Sequence, residues 1–136
     1  MLNATSKVLP VTWVFKVKRT PDGEILKHKA CICVGGNLQE AKQDTYAPVV
    51  AWSTVRLFLV VSSILKWKTC AIDFEAAFIQ ATLPEPVWIH IPRGFLVQST
   101  GLQKCLRLKK TVYGLSESPK LWYKHLYRAL KADGFK

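Results

Sequence analysis

The chain has 136 residues, of which 49% are hydrophobic, and its formal net charge at pH 7 is +11. That much apolar sequence can bury a core of ordinary single-domain size, so one domain is expected. A membrane span is excluded, because the longest apolar stretch, residues 55–65, contains Arg56 and two serines.

Charge and cysteine usage narrow the possible partners and compartment. Most of the excess positive charge lies in residues 101–136, which suits a phosphate backbone, although a solvated lysine-rich surface is as common in basic chains. The four cysteines have no CxxC spacing, which argues against a zinc site and favours thiols in a reducing compartment. Residues 1–9 lack a signal-peptide core, so we expect a protein of the cytoplasm or nucleus that is not secreted.

The first predicted elements form a hairpin. Residues 1–12 are an N-terminal extension, and residues 13–19 alternate apolar and basic side chains as a half-exposed strand does. The next segment, Thr20–Gly23, is a strong turn signal, because its Pro presets φ and its Gly permits a positive φ. Residues 24–34 are the partner strand. On these residues alone, an exposed hairpin without a further role is favoured.

The middle of the chain is predicted to contain a buried helix and a strand that ends in a carboxylate. Ser53 can cap a helix to about Lys66, and because this helix is apolar nearly all round we expect it to be buried against a sheet. Residues 69–73 are an apolar run predicted as a buried strand ending at Asp73. A buried carboxylate is costly unless a positive group answers it, and a metal ion would do so. Residues 74–80 follow as a tight turn or short helix.

Further strands and loops are predicted after residue 80. Residues 82–86 contain two prolines, which predicts a loop. Residues 87–91 and 105–108 are predicted strands, and a polar loop is expected at residues 97–101.

The C-terminal segment is predicted to be an amphipathic helix. Ser118 is the expected cap and Pro119 the expected first helical residue of a helix that runs to Ala132. One stripe of this helix is apolar and is expected to pack. The opposite stripe is basic, and it consists of Lys120, Lys124, Arg128 and Lys131. It is either a solvated face or a surface that faces nucleic-acid phosphates.

Several short blocks of sequence carry a family resemblance. They are WVFKVK at 13–18, PDG at 21–23, KHKA at 27–30, TYAPVV at 45–50, STVRL at 53–57, IDFEAAF at 72–78, and YGL at 113–115 with Pro119, Trp122 and Tyr123. In this order they resemble the fingers and first palm segment of a copia-type LTR retrotransposon reverse transcriptase. The resemblance runs from about Trp13 to Phe135. It implies an α+β fold in which a polymerase-like fingers hairpin stands beside a partial palm of antiparallel sheet and packed helices.

The resemblance assigns the catalytic metal site to carboxylates. Asp73 corresponds to one of the family's Mg²⁺ ligands, and the others are two adjacent Asp residues on a later hairpin. No Asp-Asp dipeptide occurs in these 136 residues. Residues 13–136 are therefore predicted to be a partial reverse transcriptase domain, truncated before that hairpin, with one corner of the Mg²⁺ site.

The resemblance also implies nucleotide and nucleic-acid contacts. Phe78 is at the position where the family places an aromatic ring beneath the sugar, which excludes a 2′-hydroxyl. The other implied nucleotide-binding residues are Phe74, Lys29, Tyr113 and Gly114. The implied contacts to an RNA or DNA primer-template are Lys120, Lys124 and Arg128.

Three positions depart from the family pattern and leave two functions open. Cys31 occupies the place of an Arg and Gly35 the place of a second basic residue, and neither can bind a triphosphate. Glu117 adds a negative charge where a phosphate would pass. The chain is predicted to be a fragment of an RNA-directed DNA polymerase that is inactive alone, or else a non-catalytic, basic nucleic-acid-binding remnant.

Overall fold

The computed structural model describes residues 7–40, 44–95 and 105–135. Five strands and two α-helices follow one another: β1 (Val8–Leu9), β2 (Val11–Arg19), β3 (Ile25–Val34), α1 (Trp52–Ile64), β4 (Thr82–His90), β5 (Cys105–Lys110) and α2 (Ser118–Ala132). Short 3₁₀ helices lie at Gly36–Leu38 and Ala77–Gln80. This content confirms the α+β prediction. The polar loop expected at residues 97–101 lies outside the described residues.

The predicted N-terminal hairpin is confirmed. Strands β2 and β3 pair antiparallel from Val11, opposite Val34, to the turn end of the hairpin. Gly23 has a φ of 89°, and its N–H donates to the Thr20 carbonyl oxygen at 3.0 Å. The TPDG segment therefore makes the tight turn that its residues favour.

A second sheet, with strand order β1-β4-β5, carries most of the core. β1 pairs parallel to β4, and β4 pairs antiparallel to β5. Leu9 of β1, in the segment that we treated as an N-terminal extension, is only 2% exposed. The core cluster consists of Leu9, Val34, Leu83, Val87, Ile89 and Leu115.

Backbone hydrogen bonds join the base of the hairpin to the second sheet and to the turn before α2. The Val34 N–H donates to the Tyr113 carbonyl oxygen at 2.9 Å, and the Gly36 N–H donates to the Gly114 carbonyl oxygen at 3.1 Å. The Gly35 N–H donates to the Pro10 carbonyl oxygen at 2.9 Å. We call this set of contacts the hairpin joint.

Helix α1 forms, but the prediction that it is buried is wrong. It begins at Trp52 after Ala51, so Ser53 lies inside the helix and no side chain caps its N-terminus. Ser62 is its one buried residue, and apolar side chains such as Leu57 and Ile64 are 63% and 72% exposed. An apolar helix is buried only if another surface packs against it. The described core consists of residues from other elements, so most of α1 remains exposed.

Two further predictions between α1 and β5 are wrong. Residues 69–73 have no regular secondary structure, because a five-residue apolar run becomes a strand only when a neighbouring strand pairs with it. The predicted loop at 82–86 is the first half of β4. The register of β4 on β5 shifts between Thr82 and Val87, which accommodates prolines that have no N–H for the ladder. The predicted short helix after Phe74, and the strands beginning at residues 87 and 105, are confirmed.

The start of α2 differs by one residue from the prediction. Glu117 is the N-cap residue and Ser118 is already helical, with Pro119 in the first turn as expected. The Ser118 hydroxyl donates to the Val112 carbonyl oxygen at 2.7 Å instead of capping the helix. No helix in the described part of the chain is long and apolar enough to cross a membrane.

Substituting Gly114 tests how far the stability of the fold depends on the hairpin joint. A Cβ on Gly114 would lie 2.1 Å from the Val34 carbonyl oxygen, and the residue has a φ of 95°. Gly114→Ala is therefore expected to lower the free energy of unfolding by about 2–5 kcal/mol, from backbone strain plus overpacking. Gly23→Ala is the control, because its φ is 89° but nothing lies within 4 Å of the added Cβ. Urea denaturation should show the larger loss for Gly114→Ala, and equal losses would contradict this account of the joint.

Candidate functional site

One face of the hairpin is lined with lysines. Lys16 lies directly opposite Lys29, and Lys18 lies directly opposite Lys27. Opposed residues of an antiparallel pair share a face, and residues two apart do so as well, so all four side chains project from one side. All four are exposed. We call this surface the lysine face.

The lysine face contains one residue that was predicted to bind a nucleotide and others that were not predicted. Lys29 was named as a nucleotide contact, whereas Lys16 and Lys18 were not, although their two-residue spacing on a predicted strand could have revealed them. Cys31, which stands at the family's Arg position, lies on the same face, two residues along β3 from Lys29.

Aromatic contacts join two of the predicted nucleotide residues to each other and a third to helix α2. The rings of Phe78 and Tyr113 meet edge to face with centroids 4.9 Å apart. Phe74 contacts Trp122 of α2 in the same way, at 5.4 Å. The Thr111 hydroxyl donates to the Phe78 carbonyl oxygen, which ties the segment after Asp73 to the end of β5. The structure therefore brings Phe78 and Tyr113 together and places Phe74 against α2.

An apolar cavity of about 440 Å³ lies between the hairpin base and the second sheet. Its lining includes Cys31 from the hairpin, Ala76 and Ile79 from the segment after Asp73, and Tyr113. Of the predicted nucleotide residues, Tyr113 lines this cavity. The hairpin contributes Cys31 from the face of the lysines and Ala30 and Ile32 from the opposite face.

Gly114 has a packing role that the resemblance did not indicate. It was expected to let the backbone come close to a ligand, but its nearest neighbours are backbone atoms of Val34. The carbonyl oxygen of Gly114 also accepts the Gly36 N–H. In this structure the absence of a Cβ at Gly114 lets its backbone lie close to Val34, which the hairpin joint requires.

Asp73 is exposed and lies in a segment without regular structure. Among the described residues, no group of three or more Asp, Glu, His or Cys side chains is placed to hold a metal ion. Mg²⁺ requires near-octahedral oxygen ligation, and a two-metal site requires several carboxylates. The residues present thus do not fit a complete Mg²⁺ site, and Asp73 provides one oxygen donor group.

The basic side chains of α2 have unequal surroundings. Lys120 forms an ion pair with Asp44 and also donates to the Asp44 backbone oxygen at 3.3 Å. Lys131 lies over the ring of Tyr127, 5.4 Å from its centroid. Lys124 and Arg128 instead line a groove beside the start of β4.

Comparison with known proteins identifies relatives along nearly the whole chain. The family described as "Reverse transcriptase (RNA-dependent DNA polymerase)" matches residues 2–136. The chain is 32% identical over 126 residues to a retrovirus-related Pol polyprotein from transposon RE2 of Arabidopsis thaliana, covering 90% of this chain and 9% of the polyprotein. It is 31% identical over 130 residues to the one from transposon TNT 1-94 of Nicotiana tabacum, covering 93% and 9%. No solved structure matches the chain.

A yeast relative is more distant. The transposon Ty1-H Gag-Pol polyprotein of Saccharomyces cerevisiae is 29% identical over 122 residues, covering 86% of this chain and 6% of the polyprotein. The chain thus spans less than a tenth of the length of each of these three polyproteins.

The Asp44–Lys120 pair makes a testable electrostatic prediction. The hydrogen bond from Lys120 lowers the pKa of Asp44 below its usual 3.8, with further lowering by the charges of Lys120 and Lys124 and by a backbone hydrogen bond at Tyr46. Because the folded-state pKa is depressed, the stabilisation is present above pH 3.8 and is lost as the pH falls through the lower folded value.

An NMR titration of the Asp44 carboxyl measures this effect. The pKa is expected to rise in Lys120→Gln, because the charged hydrogen-bond donor that is the largest cause of the lowering is removed. Lys131→Gln is the control on the same helix, and it should leave the titration unchanged. An Asp44 pKa that does not respond to Lys120→Gln would show that the pair does not form in solution.

Proposed function

Because the chain belongs to the reverse transcriptase (RNA-dependent DNA polymerase) family, in its copia-type retrotransposon branch, we propose that it forms the nucleotide-binding part of such a polymerase. Members of this family bind nucleic acid and nucleotides and generally use divalent metal ions. The substrate class proposed for this chain is deoxynucleoside triphosphates, and the proposed partner is an RNA or DNA primer-template.

The lysine face is the observation that carries the proposal. Like charges placed directly opposite each other across a strand pair are destabilising. This hairpin has two such pairs, Lys16 with Lys29 and Lys18 with Lys27. A triphosphate bound there would remove the repulsion, and lysine is a common phosphate ligand. The lysine face would also compensate for the Arg that Cys31 replaces.

The aromatic pair supports the same assignment. The rings of Phe78 and Tyr113 are in contact, and the Tyr113 carbonyl oxygen accepts the N–H of Val34, the last residue of β3. We propose that Phe78 packs against the sugar of the nucleotide, where a ring leaves no room for a 2′-hydroxyl. Phe74 and Gly114 are assigned supporting roles, since Phe74 packs on α2 and Gly114 packs on Val34.

The metal of the proposed reaction is Mg²⁺, and this chain would provide only part of its site. Asp73 would be one oxygen ligand of an ion that orients phosphate oxygens when it is bound. The remaining carboxylates would have to come from residues outside this sequence, which has no Asp-Asp dipeptide.

Nucleotide binding is the direct test of the lysine face. Lys16→Gln with Lys29→Gln removes one opposed pair and is expected to weaken binding of a fluorescent deoxynucleoside triphosphate by at least about tenfold, since charge-assisted phosphate contacts are lost. Lys68→Gln with Lys109→Gln removes the same charge from exposed positions elsewhere and should cause a smaller loss. Titration followed by fluorescence gives both affinities, and equal losses would count against the proposed site.

The chain alone is not expected to polymerise DNA. One carboxylate cannot hold two Mg²⁺ ions in the geometry of in-line displacement, and Cys31 with Gly35 removes two family cations. The assay contains purified chain, primed template, deoxynucleotides and Mg²⁺ or Mn²⁺, and Asp73→Asn is the matched control.

Extension that disappears in Asp73→Asn would contradict this expectation and show that the missing ligands are recruited from another molecule. Nucleic-acid binding without nucleotide binding would instead favour the alternative function, a non-catalytic remnant that binds nucleic acid.

A further inference from the structure

A groove lies between helix α2 and the start of strand β4. Its volume is about 390 Å³. The apolar part of its lining is Ala81, Leu83, Pro84 and Leu121, and Leu83 belongs to the buried core. The polar part is Thr82, Lys124, His125 and Arg128. The groove therefore combines an apolar floor that is continuous with the core and a rim that carries two permanent positive charges.

The helical spacing explains why these side chains converge. Residues 121, 124, 125 and 128 are three or four positions apart, so they share one face of α2. Lys124 and Arg128 are four apart, and like charges at that spacing are unfavourable unless an anion lies between them. Arg128 offers a planar guanidinium that can bind two phosphate oxygens, and Lys124 adds a second cation one helical turn away.

The other two cations of the basic stripe make their contacts outside the groove. Lys120 is committed to Asp44, and Lys131 lies over Tyr127. Lys124 and Arg128 are the members of the stripe that line the groove. The size of the groove is at the lower end of the range for ligand pockets, which suits one nucleotide unit and not a base pair.

We propose that this groove binds one phosphodiester group of a nucleic-acid strand, held between Lys124 and Arg128 with the adjoining sugar against Pro84. A backbone phosphate has two free oxygens, which the Arg128 guanidinium can bind together while Lys124 adds a second donor, whereas the four lysines of the lysine face suit the larger negative charge of a triphosphate. The inference rests on the proposed function only in that both involve nucleic acid. It assigns the groove a role separate from the nucleotide site.

Salt-dependent binding of the full chain to a fluorescein-labelled primer-template duplex tests the groove. Lys124→Gln with Arg128→Gln should lower the affinity about five- to tenfold at low salt. It should also flatten the slope of log K against log salt by about 0.9, the value for one released phosphate contact. Lys68→Gln with Lys109→Gln removes the same charge from exposed positions outside the groove and should change both quantities less. Both groove residues are exposed, and circular dichroism should show that the variants remain folded.

A parallel titration with a deoxynucleoside triphosphate separates the two sites. The groove variant is expected to bind the triphosphate as the unsubstituted chain does, and loss of that binding would show that the groove holds free nucleotides, which overturns the proposal. A groove variant with the duplex affinity and salt slope of the control pair would overturn it as well. If Lys16→Gln with Lys29→Gln leaves triphosphate binding intact, the proposed function fails while the groove result stands.

Discussion

Three backbone hydrogen bonds at the base of the hairpin determine how the two sheets are placed relative to each other. Val34 at the end of β3 and the two glycines after it donate their N–H groups to carbonyl oxygens before β2 and at the turn ahead of α2. The Trp13 side chain of β2 also donates to the Arg93 carbonyl oxygen, at 3.0 Å. The approach is close enough that a Cβ on Gly36 would lie 2.0 Å from the Gly114 carbonyl oxygen. A hairpin attached by side chains alone could pivot, whereas one attached through backbone hydrogen bonds has a defined direction. The position of the lysine face relative to Phe78 and Tyr113 follows from this joint.

The basic residues of the protein differ in whether they contact a partner group within the fold or lie beside another cation. On α2, Lys120 is neutralised by a carboxylate and Lys131 contacts an aromatic ring, so their charges are already used within the fold. On the hairpin, lysines face lysines, and on the groove side of α2 a lysine is followed one turn later by an arginine. Such arrangements oppose folding slightly and favour binding of an anion. The net charge of the chain alone could not distinguish these environments, because it counts all cations equally.

The sequence predicts the elements that form through interactions between nearby residues. The predictions are wrong for elements whose structure depends on residues distant in the chain. The hairpin, its TPDG turn, strand β5 and helix α2 were predicted because their turn residues, alternation or periodicity act within a few positions. The burial of α1, the strand at 69–73 and the loop at 82–86 were wrong, because each depends on which strand or surface lies beside it. At the candidate site, Phe78 contacts Tyr113, and the resemblance assigns both residues to nucleotide binding. The pairing of Lys120 with Asp44 could not be inferred, since 76 residues separate them along the chain.

The prolines of β4 have a consequence for how a further strand could pair with it. Among the described residues, β1 pairs with β4 at Trp88 and Ile89, and the register of β4 on β5 shifts between Thr82 and Val87. Strands with an incomplete hydrogen-bond ladder can pair with a strand from another molecule, which is how sheets begin to aggregate. Pro84 and Pro86 each lack an N–H, so two of the donors that an incoming strand would need are missing. The same residues that made this segment resemble a loop thus disfavour the pairing of a further strand with it.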